Sequence, residues 1–303
     1  MSNTPLAAGT DPFRLFADAI YQDLGAPVSP IADGELHRFD DPDTKRNNAA
    51  CWYVLHLDGL PAGAYGNWRT GTSYTWRANT DREITQAERE RINSVVRVAR
   101  QKRLQEKAKG YMDAQQRAGV MWRQAVPATT AHPYLAAKGI YSMGLRQAGD
   151  VLLVPLTNIG GELVNLQTIR ADGKKLFLKG GRITGCFCLT GGAELPHTGT
   201  VHIAEGVATA ATIAQTLRAP VVAAMNAGNL KPVAEAIRAK RPSLAIIIAA
   251  DNNWRTPGNP GTTKAREAAV AVGGTVTWPA VCMRDYCRCT DFNDLEHCRR
   301  AAK

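Results

Sequence analysis

From Thr200 to Pro279 the chain alternates between short apolar runs and alanine-rich stretches at helical spacing: TVHIAEG, ATAATIAQTLRA, PVVAAMN, LKPVAEAIRAKR, LAIIIAADN, TKAREAAVAVG and TVTWP. Runs that are apolar on successive residues need cover on both faces, and each intervening stretch is long enough to cross back over the sheet. The pattern therefore predicts an α/β fold with a C-terminal parallel sheet flanked by helices.

In an open parallel sheet, ligands meet side chains at the carboxyl ends of the strands, so acids at those positions are informative. Glu205 follows VHIA and precedes Gly206, which admits close approach of a backbone or phosphate; Asp251 follows LAIIIAA, the most apolar run of the chain. Carboxylates from neighbouring strands can converge, and converging oxygens with open water positions suit Mg²⁺ or Mn²⁺. Taken singly, Glu205 reads as a helix cap and Asp251 as the start of a turn. Their paired setting favours the metal. Farther on, Asp291 and Asp294 in TDFNDL read either as an aspartate-capped helix start or as further acids for the same centre.

Changes of texture divide the chain into a small β-rich region (1–84), a helical basic connector (85–126), a mixed α/β subdomain (127–199) and the α/β alternation (200–303). A short helix is predicted over 12–25. Strands are predicted in CWYVLHLDG and GAYGNWRTGTSYTWRA, where Trp52, Trp68, Trp76, Tyr65 and Tyr74 interleave with Arg69 and Arg77. Such interleaving suits base stacking, although the commoner role of strand aromatics is a small core. Thr85 to Gln124 lacks proline and predicts one long helix, or two broken near Gly110 and Gly119. It carries Arg89, Arg91, Arg97, Arg100, Lys102, Arg103, Lys107 and Lys109, several spaced to share a face that is either solvated or set along a phosphate backbone. AHPYLAAKGI predicts a helix ended at Gly139, and VLLVPL, LVNLQTIR, KKLFLKG and CFCLTG predict strands.

The net charge of +10 favours polyanionic partners, nucleic acid ahead of anionic lipid because no amphipathic anchor is evident. No apolar run approaches the ~18 residues of a membrane helix, and no leader pattern is present. The seven cysteines suit reduced thiols better than a disulfide framework, so a cytoplasmic location is expected, without membrane partners. Cys282, Cys287, Cys289 and Cys298 with His297 hint at a metal knot, but C-x4-C-x-C does not repeat the usual paired C-x2-C spacing, and structural zinc is not expected. No G-x4-G-K-[ST] motif marks a nucleotide-hydrolysing motor.

AEG at 204–206, IIIAADNN at 246–253, GNPGTTKAREAA at 258–269 and TDFNDL at 290–295 occur in the order found in Toprim domains of plasmid and prophage primases, and the chain resembles that family. HPYLAAKGI (132–140), IRADGKKLFLKGG (169–181), MNAGNL (225–230), IADGELHRF (31–39) and WYVLHLDGLPAGAYGNW (52–68) extend the resemblance upstream. It implies synthesis of short RNA primers on single-stranded DNA from nucleoside triphosphates by Mg²⁺- or Mn²⁺-dependent nucleotidyl transfer, with unwinding left to a separate replicative helicase. It also implies a catalytic, metal-organising role for Glu205 and places Asp251 at the first acid of the family's D-x-D. The second acid falls on Asn253, which offers a neutral carbonyl oxygen, so Asp291 or Asp294 becomes the candidate source of the missing charge. Arg170, Lys174, Lys175 and Lys179 lie in the segment that resembles the basic part of the primase core, and with Lys264, Arg100 and Arg103 they are candidates for triphosphate or template phosphates. Two rivals remain. One is a Toprim nuclease, because the same metal arrangement serves phosphodiester cleavage. The other is a non-catalytic single-stranded-DNA-binding accessory protein in which Asn253 marks a decayed site.

Overall fold

The structure, a computed structural model, describes residues 2–5, 11–44, 46–57, 61–79, 86–256, 258–280 and 287–300. The chain forms two compact units, Met1–Gln101 and Lys102–Lys303.

In the first unit, strands β1 (Ser2–Pro5), β2 (His37–Phe39), β3 (Cys51–His56), β4 (Ala62–Asn67) and β5 (Thr72–Asn79) make a sheet of order β1-β5-β4-β3-β2. Helix α1 (Pro12–Leu24) lies on it. Asp11 caps α1 by accepting a hydrogen bond from Phe13 N–H, Pro12 starts it, and Gly25 ends it in the left-handed region at φ 66°. Phe16 is fully buried and meets Tyr53, Tyr65 and Trp76 edge-on at centroid distances of 6.0, 5.6 and 5.1 Å. Gly63 makes this fit possible, because a Cβ there would sit 2.6 Å from the Phe16 ring. The aromatics are thus split. Tyr65 and Trp76 are core, as the commoner reading expects, whereas Trp68 is 59% exposed and pairs with Trp52 at 5.4 Å.

Helix α2 (Gln86–Gln124) is continuous, and neither Gly110 nor Gly119 breaks it. A helical glycine costs only about 1 kcal/mol, which a 39-residue helix absorbs without breaking. In the second unit the end of α2 buries Ala118, and with Ala125 it packs on Leu153 and Leu166. Residues 101–109 are exposed, so solvent rather than a core surrounds that basic stretch.

The second unit contains two further sheets. The antiparallel one comprises β6 (Val126–Pro127), β7 (Arg146–Ala148), β8 (Val151–Thr157), β9 (Leu163–Ile169) and β10 (Lys175–Phe177), ordered β10-β9-β8-β7-β6. Helix α3 (Pro133–Lys138) precedes β7 and is ended by Gly139, as expected. The other sheet has order β11-β13-β12-β14-β15, from β11 (Cys188–Thr190), β12 (Thr200–Ala204), β13 (Val221–Ala223), β14 (Ala245–Ala249) and β15 (Thr275–Thr277). Its last four strands are mutually parallel and β11 is antiparallel to β13.

Side-chain alternation distributes the helices over that sheet. Val201, Ile203, Val222, Ile246 and Ile248 pack with helices α5 (Leu230–Lys240) and α6 (Pro260–Val272). Ala204, Val221, Ala223 and Ala249 pack with helix α4 (Val207–Leu217), against which α7 (Phe292–Arg300) also lies. The same cluster takes in Leu152, Val154, Leu156 and Ile169 of the antiparallel sheet. Every residue from Val207 to Ala214 is buried, which accounts for the small side chains of VATAATIA. Among the described residues no helix is long and apolar enough to cross a membrane.

Candidate metal centre

Strands β12 and β14 are neighbours, with Ala204 paired to Ala249, so the residues that follow them leave the sheet side by side. Glu205 is the first of these and directly precedes Gly206, the N-cap of α4. Burial raises the Glu205 carboxyl above its ordinary value, opposed by a hydrogen bond from Ala227 N–H and by the charge of Lys175. Ala227 belongs to the turn after β13, whose Asn226 side chain accepts from Asn229 N–H. Three strand ends therefore meet at Glu205.

Asp251 is perturbed further. Burial first, then the negative charges of Glu205, Asp291 and Asp294, push its carboxyl up to about 8, with Lys175 opposing. Its Oδ1 is buried and has no hydrogen-bond partner among the described residues. A buried carboxylate oxygen left unpaired is costly unless something outside the chain satisfies it.

Asn253 has a different role. Its Oδ1 accepts from Gly261 N–H at 3.0 Å, tying the loop after β14 to the first turn of α6. Gly261 is closely fitted there, since a Cβ would lie 2.3 Å from the Asp251 carbonyl and 2.5 Å from Asn253 Oδ1. Asn259 Nδ2 adds a second tie by donating to Asn252 Oδ1 at 2.8 Å. The neutral oxygen that the sequence offered as a ligand is thus engaged by a helix N-terminus.

Asp291 and Asp294 cap a helix start, the commoner reading of TDFNDL. Asp291 Oδ1 accepts from Asp294 N–H at 2.7 Å, and Asp294 Oδ2 accepts from Thr290 N–H at 3.3 Å, a reciprocal cap for α7. Their charges nonetheless act on Asp251. Lys138, which the sequence did not single out, lies 3.7 Å from Asp294 Oδ1.

Of the basic candidates, Lys175 is the one whose charge reaches both Glu205 and Asp251, and its ammonium sits 5.5 Å from the Tyr134 ring centroid. Arg170 and Lys174 are exposed in the turn of the β9–β10 hairpin. Lys179 is exposed, and its carbonyl accepts from Arg117 at 2.6 Å. Lys264 pairs with Glu267 at 2.7 Å on the surface of α6. Arg100 and Arg103 are exposed along α2. The side chains of Arg89 and Arg91, and Cys282, lie outside the described residues.

Sequence reasoning also passed over Asn229. It is 3% exposed, and its Nδ2 lies within hydrogen-bond distance of the carbonyls of Ile183, Cys186 and Ala224, while its Oδ1 accepts from Gly185 N–H. It fastens the 183–186 loop to the turn that holds Glu205. Its signal was present in MNAGNL, a polar turn directly after a buried strand.

Residues 200–301 match the family described as Toprim domain. Over 277 residues, 87% of this chain, the sequence is 37% identical to DNA primase TraC of Escherichia coli, of which it spans 26%. A second DNA primase TraC of Escherichia coli is 36% identical over 258 residues, 82% of this chain and 18% of that protein. The chain thus spans about a quarter or less of the length of these curated relatives. Among solved structures, the primase fragment of the Bacteriophage T7 primase-helicase protein aligns over 55% of this chain and 70% of that one, with a TM-score of 0.42 and 18% identity. The DnaG primase catalytic domain bound to ssDNA aligns over 63% and 78%, with a TM-score of 0.41 and 14% identity. By sequence, then, residues 200–301 carry a match to the Toprim domain, and most of the chain is similar to DNA primase TraC.

Proposed function

We propose that this chain synthesises short RNA primers on single-stranded DNA, in the cytoplasm, by divalent-metal-dependent transfer of nucleotides from nucleoside triphosphates. The observation that carries the reading is the half-buried pair Glu205 and Asp251 at adjacent parallel strand ends, with Asp251 Oδ1 unpartnered among the described residues and Lys175 a nearby cation. The relationship to DNA primase TraC supports it.

Glu205 and Asp251 would hold Mg²⁺ or Mn²⁺, with Asp291 and Asp294 adding negative charge from the far side of the loop. Such an ion, when bound, neutralises triphosphate charge and stabilises the charge that develops as a 3′-hydroxyl attacks the α-phosphate. Both carboxyls must be ionised to serve, so loading the site releases the proton that burial keeps on Asp251. Lys175, anchored against Tyr134, is positioned to meet a phosphate oxygen next to the acids. The exposed hairpin residues Arg170, Lys174 and Lys179, with Lys264, Arg100 and Arg103, would contribute general attraction for phosphates. A replicative helicase is the expected partner.

The test is primer synthesis on unprimed single-stranded DNA with labelled nucleotides and Mg²⁺ or Mn²⁺, comparing wild type, Glu205→Ala and Asn253→Asp. Short products from wild type that vanish in Glu205→Ala establish the activity. The tie from Asn253 to Gly261 N–H favours one other reading, an accessory protein that binds single strands without catalysis, because it engages the position where the family carries an acid. That reading requires an inactive wild type and indifference of DNA binding to chelator. Shortening of the labelled strand would mark a nuclease instead.

A further inference from the structure

The sulfur atoms of Cys287, Cys289 and Cys298 lie within 4.8 Å of one another, and none of the three is fully buried. Cys287 Sγ is 3.0 Å from Cys289 Sγ and 3.8 Å from Cys298 Sγ. Thiolates around a tetrahedral zinc, bonded at ~2.3 Å, stand about 3.8 Å apart, so the Cys287–Cys298 separation matches the spacing that such an ion imposes and the Cys287–Cys289 separation needs to open slightly. A disulfide would engage two of the sulfurs and leave the third beside it. Three mutually close sulfurs match a soft cation, whereas the oxygen cluster around Asp251 matches a hard one.

We infer that Cys287, Cys289 and Cys298 form a structural zinc site, distinct from the acidic centre. Each thiol gives up its proton to solvent as it binds, and the fourth position is taken by water or another ligand. His297 does not take it, since it lines the pocket of Lys138, Gly139 and Tyr141 and is not among the clustered ligands. Cys282 lies outside the described residues and is not counted.

The surroundings give the site its purpose. Arg255 Nη2 donates to the Cys287 carbonyl at 2.9 Å, Trp254 Nε1 to the Cys289 carbonyl at 3.4 Å, and Asn252 N–H to the Thr290 carbonyl at 2.6 Å. The Cys287–Thr290 segment therefore runs along the loop that begins at Asp251, and Cys298 is carried on α7, whose first turn holds Asp294. An ion closing the three sulfurs locks α7 to that segment, and with it the positions of Asp291 and Asp294 relative to Asp251.

The experiment is metal analysis of the full chain, purified under reducing conditions without chelator from zinc-supplemented cells, beside the Cys287→Ser, Cys289→Ser, Cys298→Ser and Asp251→Asn variants. About one zinc per chain is expected in wild type and Asp251→Asn, with at least a fivefold loss in each cysteine variant. Should the serine variants fail to fold, titration of folded wild type with an organomercurial, read by a chromogenic zinc chelator, must release the metal in step with thiol modification. Substitution by Co²⁺ must give a thiolate-to-cobalt charge-transfer band. Metal-free wild type with three freely titrating thiols, a Cys287–Cys298 disulfide found by mass spectrometry, or zinc retained by all three serine variants overturns the site. None of these readouts depends on primer synthesis, so the site stands or falls apart from the proposed activity.

Discussion

Two aspartates, one in each unit, are shielded from solvent and titrate in opposite directions. Asp41, with 4% of its side chain exposed, accepts from Asn67 Nδ2 at 2.8 Å, Arg69 Nη2 at 3.0 Å and Asp43 N–H at 3.0 Å. These bonds, led by that from Asn67, hold its carboxyl below the ordinary value. Asp251 has an oxygen without a partner and three acids for neighbours, and is pushed up to about 8. Burial alone does not set the charge of a carboxylate; the partners supplied with the burial do. Asp41 is completed by its own fold and Asp251 is not, the contrast that the proposed function expects between an acid that builds a loop and one kept for a ligand.

The comparison breaks most visibly at Asp251. Asp251→Asn should lower primer synthesis more than ~100-fold, since loss of groups that merely support a metal ligand already costs 10–100-fold. A variant with full metal-dependent activity would make Asp251 as structural as Asp41. The same substitution should stabilise the metal-free protein. Folded Asp251 keeps its proton where the unfolded chain has lost it, so from its ordinary value of 3.8 up to about 8 the folded state binds more protons and stability falls as pH rises. In chelator at pH 8, Asp251→Asn should therefore gain on the order of 2 kcal/mol over wild type by denaturant titration, and the gain should disappear near pH 4.

Asp41 sharpens the contrast from the other side. Its lowered carboxyl contributes stability above the ordinary value, and that contribution is lost as pH falls through the folded value. Asp41→Asn should lower the thermal midpoint by a few degrees at pH 7, with the deficit shrinking in acid and with activity per folded molecule unchanged. Lys175→Gln should have the smallest effect. Removing a charge that opposes proton retention at both Glu205 and Asp251 should shift the pH dependence of Mn²⁺ binding, followed by electron paramagnetic resonance, to higher pH. An unchanged pH profile would remove Lys175 from the centre.

Much of the second unit was legible because its information is periodic. LAIIIAA and VHIA can only be strands buried on both faces, and the acids that follow them then fall at strand ends by topology alone. What escaped depends on contacts between distant segments. Gly110 and Gly119 read as candidate breaks, yet α2 runs through both. Lys174, Lys175 and Lys179 are equivalent as a basic string, and only the phase of the β9–β10 hairpin brings Lys175 to the acids. The cysteine spacing gives no sign that Cys298, carried on α7, comes beside Cys287 and Cys289. Likewise Trp68 and Trp76 share a composition signal, but Trp68 stands exposed just past the end of β4, whereas Trp76, paired with Gly63, is in the core.

Helix α4 begins at the residue after Gly206 and has no solvent face from Val207 to Ala214. Mostly alanine and threonine, with Val207 and Ile213, fill the space there, so the helix is closely held on all sides. Glu205 is fixed to its first turn, so the carboxylate can shift only if both sheets shift with it. The amide protons of α4 should then exchange by global unfolding alone, making this helix the clock against which every local opening of the second unit is read.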